Sequence, residues 1–267
     1  LPHTMQPMTH RQRRSTPVEK FKTLKGENRL LILGIPVLVI IAVAGWAIWR
    51  STATLDDIEA RTLAPASVMS LTWEHLLIVV VSAVFVLITA IPLGIVLTRP
   101  ATQFLSPVVT AIANIGQAAP VIGVIVLLAI WLGFGPPVAI LALWFYAFLP
   151  VLANVVAGLR GVDSSLVEAA RGLSMSPMQV LFKVELPLAL PVIMTGVRTS
   201  LVLLVGAGAF ATFIDAGGLG GLITAGINLY RNPVLISGAV LIAALALAIE
   251  WVGRVLEISL TPKGMLK

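Results

Sequence analysis

The sequence contains no cysteine, which excludes a disulfide framework, a thiolate metal site and a cysteine nucleophile. Histidine is nearly as scarce: His3, His10 and His75 are scattered, no pair has metal-ligand spacing, and no metal is expected in the chain. Asp, Glu, Lys and Arg together make up 11% of the residues, where a soluble domain carries about 25%. Against these absences stand a hydrophobic content of 58% and a mean hydropathy of +1.01. A soluble domain is excluded, and an all-α integral membrane protein is expected. The net charge of +6 would suit a nucleic-acid binder. In a membrane protein it is more simply the cytoplasmic bias of Lys and Arg, so position decides its meaning.

A membrane span needs about 20 mostly apolar residues. Leu30 to Trp49, Trp73 to Thr98, Pro191 to Ile214 and Val234 to Gly253 qualify. Residues 100–159 hold no Asp, Glu, Lys, Arg or His, and a charge at a span centre costs about 2.5–3.5 kcal/mol, so this stretch also belongs in lipid or packed protein. Gly133-Phe134-Gly135-Pro136-Pro137 divides it by a turn, while Pro107 and the stretch from Gly116-Gln117 to Pro120 interrupt its first half. Counting Phe104 to Phe134 as one span gives six, with both termini inside. Only Arg50, Arg61 and Arg231 then lie outside, against the other 15 of the 18 Lys and Arg. Counting two spans gives nine on each side, so the positive-inside rule prefers six. No histidine is read as lying inside a span, although the second run as bounded takes in His75 at its start. A cleaved signal peptide ending near Ala42-Val43-Ala44 is the less favoured reading of the first run, whose basic lead-in is long.

The densest polar segment after the N-terminal tail lies between the fourth and fifth spans. Asp163-Ser164-Ser165-Leu166-Val167-Glu168 opens a helix, with Ser165 and Glu168 at capping-box spacing. Leu166, Ala169, Ala170 and Leu173 share one face. Ser176-Pro177-Met178-Gln179 opens a second helix with a second capping box. Leu186-Pro187 and Pro191 mark the return to the membrane. Two short helices in an elbow are expected on the cytoplasmic face, either as a docking element or as a well-capped loop.

Elsewhere, Gln117 and Pro120 interrupt a span and are candidates for lining a path, since irregular backbone is tolerated where it faces a cavity. Trp131, Trp144, Phe145, Tyr146 and Phe148 flank the middle turn. Trp144 and Tyr146 offer faces to a cationic solute, although ordinary interfacial or helix packing is the favoured reading of such aromatics. Asp215-Ala216-Gly217-Gly218-Leu219-Gly220-Gly221 lacks the Gly-Lys-Ser/Thr ending of a phosphate loop and reads as a tight turn before a short re-entrant or interfacial helix. Glu250 and Arg254 form an i,i+4 pair, Arg198 is expected to snorkel to the inner surface, and Gly206, Ala207, Gly208 and Ala211 offer small faces for helix or dimer packing.

The pattern Glu168-Ala169-Ala170, then Ser174, then Val184-x-Leu186-Pro187 resembles the cytoplasmic loop of ABC importer permeases of the methionine-permease-like fold. Ser174 stands where that family usually has Gly, so an ordinary helix-to-turn geometry is expected there, with Gly172 taking the turn. Arg160-Gly161-Val162-Asp163, Gly196-Val197-Arg198 and Phe213 to Gly220 resemble the osmoprotectant branch, which imports glycine betaine, choline, carnitine or related solutes. Composition and the Lys/Arg count give a disordered basic cytoplasmic tail over residues 1–29, a first transmembrane helix over 30–50 and a cytoplasmic C-terminal tail over 256–267, and the resemblance implies a permease core over 70–255. It implies that Asp163, Glu168, Ala169, Ala170, Arg171, Gly172, Ser174, Leu186 and Pro187 couple to an ATP-hydrolysing subunit. It further implies that Asp215, Gly217, Gly218, Tyr230 and Arg231 meet a solute-binding protein outside. The expected partners are a second permease subunit, two ATP-binding subunits that hold ATP and Mg, and the binding protein, all at a bacterial inner membrane; the chain itself carries no cofactor and catalyses nothing. The rivals are a permease for another small solute such as an amino acid, a secondary transporter, which requires several buried carboxylates and inverted repeats, and an intramembrane enzyme, which requires a catalytic constellation inside the spans.

Overall fold

The computed structural model describes residues 26–261, so nearly all of the expected basic tail and residues 262–267 lie outside the described residues. Among the described residues all regular structure is helical, with no strand. The long helices are α1 (Gly26–Thr52), α3 (Pro65–Leu97), α6 (Pro136–Arg160), α9 (Leu186–Gly208) and α11 (Asn232–Leu260). Shorter ones are α2 (Asp57–Thr62), α4 (Ser106–Ala118), α5 (Val121–Leu132), α7 (Ser164–Gly172), α8 (Pro177–Val180) and α10 (Gly220–Asn228). Five stretches are long and apolar enough to cross a membrane: Leu31–Thr52, Pro65–Leu97, Pro136–Arg160, Pro177–Ile214 and Asn232–Leu260. The last of these runs through Leu260, beyond the point where a C-terminal tail was expected to begin at residue 256.

The centre of the bundle is α6. It packs against α3, α9, α4 and α5, while α9 also meets α11, and α11 carries α1 and α10. Half of the most apolar stretch of α6 is buried, against 11% for α1. A helix that is apolar all round needs either protein or lipid on every side. For α6 the cover is protein. For α1 the cover must come from outside the chain, because Leu33, Ile40, Ile41 and Ile48 stand exposed along it. The α6–α9 contact is close because Gly196 has no side chain: a Cβ there would lie 2.5 Å from the Pro150 carbonyl oxygen. Small residues at such crossings are what let helix backbones approach in a membrane.

Phe104 to Phe134 forms neither one unbroken helix nor two full crossings. It is α4 followed by α5, parted at Ala119-Pro120. At about 1.5 Å per residue neither piece alone spans a bilayer, whereas the two end to end do. The first half of α4 shares a groove with the last turns of α6, and the last turn of α5 adjoins the loop that begins α6. The two pieces therefore run successively along α6.

His75, read above as outside the spans, is buried at 1% exposure in α3. Its Nε2 lies 3.0 Å from the Val205 carbonyl oxygen. That carbonyl is available because α9 tightens into a 3-10 turn over Ala209–Ile214, so the Ala209 N–H turns to Gly206 instead.

Candidate functional site

The elbow begins at Asp163, whose carboxylate accepts the Ser165 N–H at 2.8 Å and starts α7 at Ser164. The expected Ser165–Glu168 capping box is absent, because Asp163 already caps the helix two residues earlier. The Ser165 N–H, and then the Ser165 hydroxyl, hold the Asp163 carboxyl below its ordinary range. At the far end the Met175 N–H reaches the Ala170 carbonyl at 3.3 Å and the Ser174 N–H reaches Arg171 at 2.9 Å. These are the two bonds of a Schellman motif. They demand a left-handed residue at Ser174, which sits at φ +59°. The expectation that Ser174 would keep an ordinary turn and Gly172 take over is therefore overturned: Gly172 ends the helix in regular geometry.

Ser176 and Gln179 do form their capping box, with N···O distances of 3.4 and 2.9 Å. The helix that begins at Pro177 does not turn back at Leu186-Pro187. It continues to Ile214. The proline, which lacks an N–H and crowds the carbonyl four residues earlier, is accommodated by a π turn over Leu181–Glu185, closed by Leu186 N–H to the Leu181 carbonyl. Leu186 and Pro187 thus sit within one long rod that joins elbow to membrane. Inside the π turn, Glu185 is 8% exposed and meets Arg99 at 2.8 Å, fastening the rod to the segment just after α3. The sequence offered no spacing signal for this pair.

Of α7, only Ala170 is buried; Glu168, Ala169, Arg171 and Gly172 are exposed. Leu166, Leu173, Met178 and Phe182 are 47%, 78%, 63% and 58% exposed. These four large apolar side chains of the elbow are therefore bare, while Ala170, Val180 and Leu181 pack on the chain itself.

The opposite end of the bundle carries the glycine turn. Asp215, Gly217 and Gly218 all have positive φ. The Gly218 N–H donates to a Glu74 carboxylate oxygen at 3.0 Å, and Ser70 donates to the other at 3.3 Å. Arg231 is ion-paired with Asp56 and lies 3.9 Å from Glu59, the residue that closes the α2 capping box. It is committed to that contact, while its neighbour Tyr230 is 93% exposed at φ +54°. These residues gather at one end of the bundle, with the Tyr230 side chain almost fully exposed.

The mid-depth candidates divide. Gln117 is one turn before the α4–α5 break, and Pro120 caps α5. Tyr146 faces the same side of α6 as Ala153, Ala157 and Arg160, by helical spacing. Trp144 faces the other side. Its Nε1 donates to Thr89 at 2.8 Å in an apolar cavity of about 460 Å³ with Phe85 and Ile140, so it does not share a site with Gln117. Arg198 does not snorkel freely. It pairs with Glu250 at 3.4 Å and Glu257 at 3.2 Å, and Glu250 also holds Arg254 at 3.4 Å.

Residues 90–261 match the family described as binding-protein-dependent transport system inner membrane component. The chain is 42% identical over 194 residues to the choline transport system permease protein OpuBB of Bacillus subtilis, covering 73% of this chain and 88% of that protein. It is 41% identical, with the same coverage, to the glycine betaine/carnitine/choline transport system permease protein OpuCB of Bacillus subtilis. Its structure resembles a chain of the inward-facing MetNI methionine ABC transporter with a TM-score of 0.65 at 30% identity, covering 73% of this chain and 96% of that one. The bare apolar side chains of the elbow, the broken mid-depth helix and these likenesses lead to one conclusion: the chain belongs to the binding-protein-dependent transport system inner membrane components and is an ABC importer permease.

Proposed function

We propose that the chain forms the transmembrane path of an importer for a quaternary ammonium osmoprotectant such as glycine betaine or choline. The observation that carries the solute class is the likeness, at 41–42% identity, to permeases named for those solutes. A methionine transporter of similar structure favours the second reading, an importer of an amino acid or another small solute.

In this reading a pair of permease subunits forms the path, and two ATP-binding subunits, which hold the ATP and Mg, dock on residues 163–187. Leu166, Leu173, Met178 and Phe182 supply the apolar contact, while Glu168 and Arg171 give the polar rim. The continuous rod from Pro177 to Ile214 carries movement of the elbow into the membrane as a rigid body. A solute-binding protein docks at the other end, around Asp215, Gly217, Gly218 and Tyr230, with Arg231 holding the loop in place. Gln117, Pro120 and Tyr146 line the path; Trp144 packs helices instead.

Six crossings, with α4 and α5 together as the third, put both termini in the cytoplasm of a bacterial inner membrane. The sidedness of the ion pairs supports this reading. Arg231 joins Asp56 and Glu59, all assigned outside. Arg99–Glu185 and the Arg198, Glu250, Arg254 and Glu257 cluster all fall inside.

The test is ATP-dependent uptake of labelled glycine betaine and choline into proteoliposomes that hold the permease, its cognate ATP-binding subunit and its binding protein. Uptake of either supports the solute class. Uptake of an amino acid and of neither of these overturns it in favour of the second reading.

A further inference from the structure

Below the α4–α5 break, on the side of α6 away from Trp144, lies a groove of about 430 Å³. Ser106, Thr110 and Asn114 of α4 and Ala153, Ala157 and Arg160 of α6 line it. Thr110, Asn114 and Gln117 recur at helical spacing and form a polar stripe on α4 that climbs from the groove to the break at Pro120. The Asn114 and Arg160 side chains are exposed and make no hydrogen bond or ion pair with any described residue. Asp163, the carboxylate nearest Arg160 in sequence, is engaged with Ser165. Polar groups without partners persist at membrane depth only where they meet water, a solute or another protein.

We propose that this groove is the inner half of the solute path, and that Arg160 receives the carboxylate of a zwitterionic solute at its cytoplasmic mouth. The path then favours carboxylate-bearing quaternary ammonium solutes over purely cationic ones. The solute chemistry rests on the reading in the preceding subsection; the groove itself does not. A guanidinium presents paired donors to a carboxylate and repels a trimethylammonium group that has no counter-charge. The carbonyl end of α6 sits beside Arg160 and offsets part of its charge. The site is therefore weak enough to release what it receives, as a conducting path requires.

The absence of cysteine makes single-thiol variants clean probes. Asn114→Cys in the assembled transporter, in inside-out vesicles, is treated with membrane-impermeant methanethiosulfonates carrying either a sulfonate or a trimethylammonium group. Both reagents are expected to react, the sulfonate faster. Adding Arg160→Gln should lower the sulfonate-to-trimethylammonium rate ratio by about threefold or more, as a nearby charge requires, while Arg160→Lys should preserve it. Ile112→Cys, on the opposite face of α4 and at a position 65% exposed, should stay unreactive. No reaction at Asn114→Cys, or an unchanged ratio in Arg160→Gln, overturns the proposal. In uptake assays Arg160→Gln should reduce glycine betaine transport about tenfold, the loss of one charge-assisted contact, with choline changed less than about twofold. Equal loss of both solutes overturns the selectivity. A wild type that moves neither solute but keeps the labelling pattern supports the groove and overturns only the osmoprotectant reading.

Discussion

Glu185 reaches Arg99 at 2.8 Å from inside a π turn, joining the rod that leads out of the elbow to the segment after α3. The glutamate is nearly buried and the arginine about one-third exposed. Breaking a fully buried pair costs about 3–5 kcal/mol, and the exposure of Arg99 lowers that to about 1–3 kcal/mol. Glu185→Gln and Arg99→Gln should each lower the melting temperature and uncouple ATP hydrolysis from uptake, and the double variant should be little worse than either. A thermal double-mutant cycle measures this. Strictly additive losses would mean that the two residues act separately.

Ser174 holds a left-handed conformation that its own side chain disfavours. Ser174→Gly should stabilise the elbow by about 0.5–1 kcal/mol, and Ser174→Val should destabilise it by at least as much. Amide exchange at Met175, whose N–H closes the motif onto Ala170, reports the change directly. Faster exchange in Ser174→Gly would contradict the left-handed assignment.

The Asp163 cap has a defined pH response. Its carboxyl titrates below the ordinary value of 3.8 in the folded elbow. The stability it adds is therefore fully present above pH 3.8 and is lost as the pH falls through the lower folded value. Ser165 amide protection should be flat above about pH 4 and fall below it, and Asp163→Ala should abolish the dependence. Asp163→Asn, which keeps the cap without the charge, should retain protection.

Gly196 is needed for its missing side chain. A Cβ would meet backbone at Pro150 and the Asn154 side chain at 2.6 Å, and neither can withdraw within a packed helix pair. Gly196→Ala should cost about 1–3 kcal/mol. Gly206→Ala on the same helix meets nothing within 4 Å in the single chain and should leave the isolated subunit unchanged. Melting temperatures in detergent separate the two.

What could be read from the sequence was what local chemistry decides. Charge exclusion marked the apolar stretches, and Pro120 marked the break between α4 and α5. The Ser176–Gln179 cap was legible because its partners lie three residues apart. The Ser165 cap failed because two good capping residues compete within three positions, and Asp163 won. The conformation of Ser174 was misread because residue preference was weighed without the two Schellman bonds that override it. Helix continuity through Pro187 was hidden because a π turn absorbs the proline without ending the helix. Contacts such as Arg99–Glu185, Arg198–Glu257 and His75–Val205 join residues far apart in the chain, and no spacing announces them. For the same reason the groove residues Thr110, Asn114 and Arg160 were missed, although the polar stripe on α4 was there to be counted.

The proposed docking of the ATP-binding subunit on the elbow is tested most directly at one exposed side chain. Leu173, 78% exposed at the end of α7, is the residue to probe. With Leu173→Cys as the single thiol of the chain, a short bifunctional reagent should cross-link it to the cognate ATP-binding subunit, and Leu173→Glu should abolish both that association and ATP-dependent uptake while the melting temperature stays unchanged. Full uptake in Leu173→Glu, with no cross-link formed from Leu173→Cys, would contradict the account.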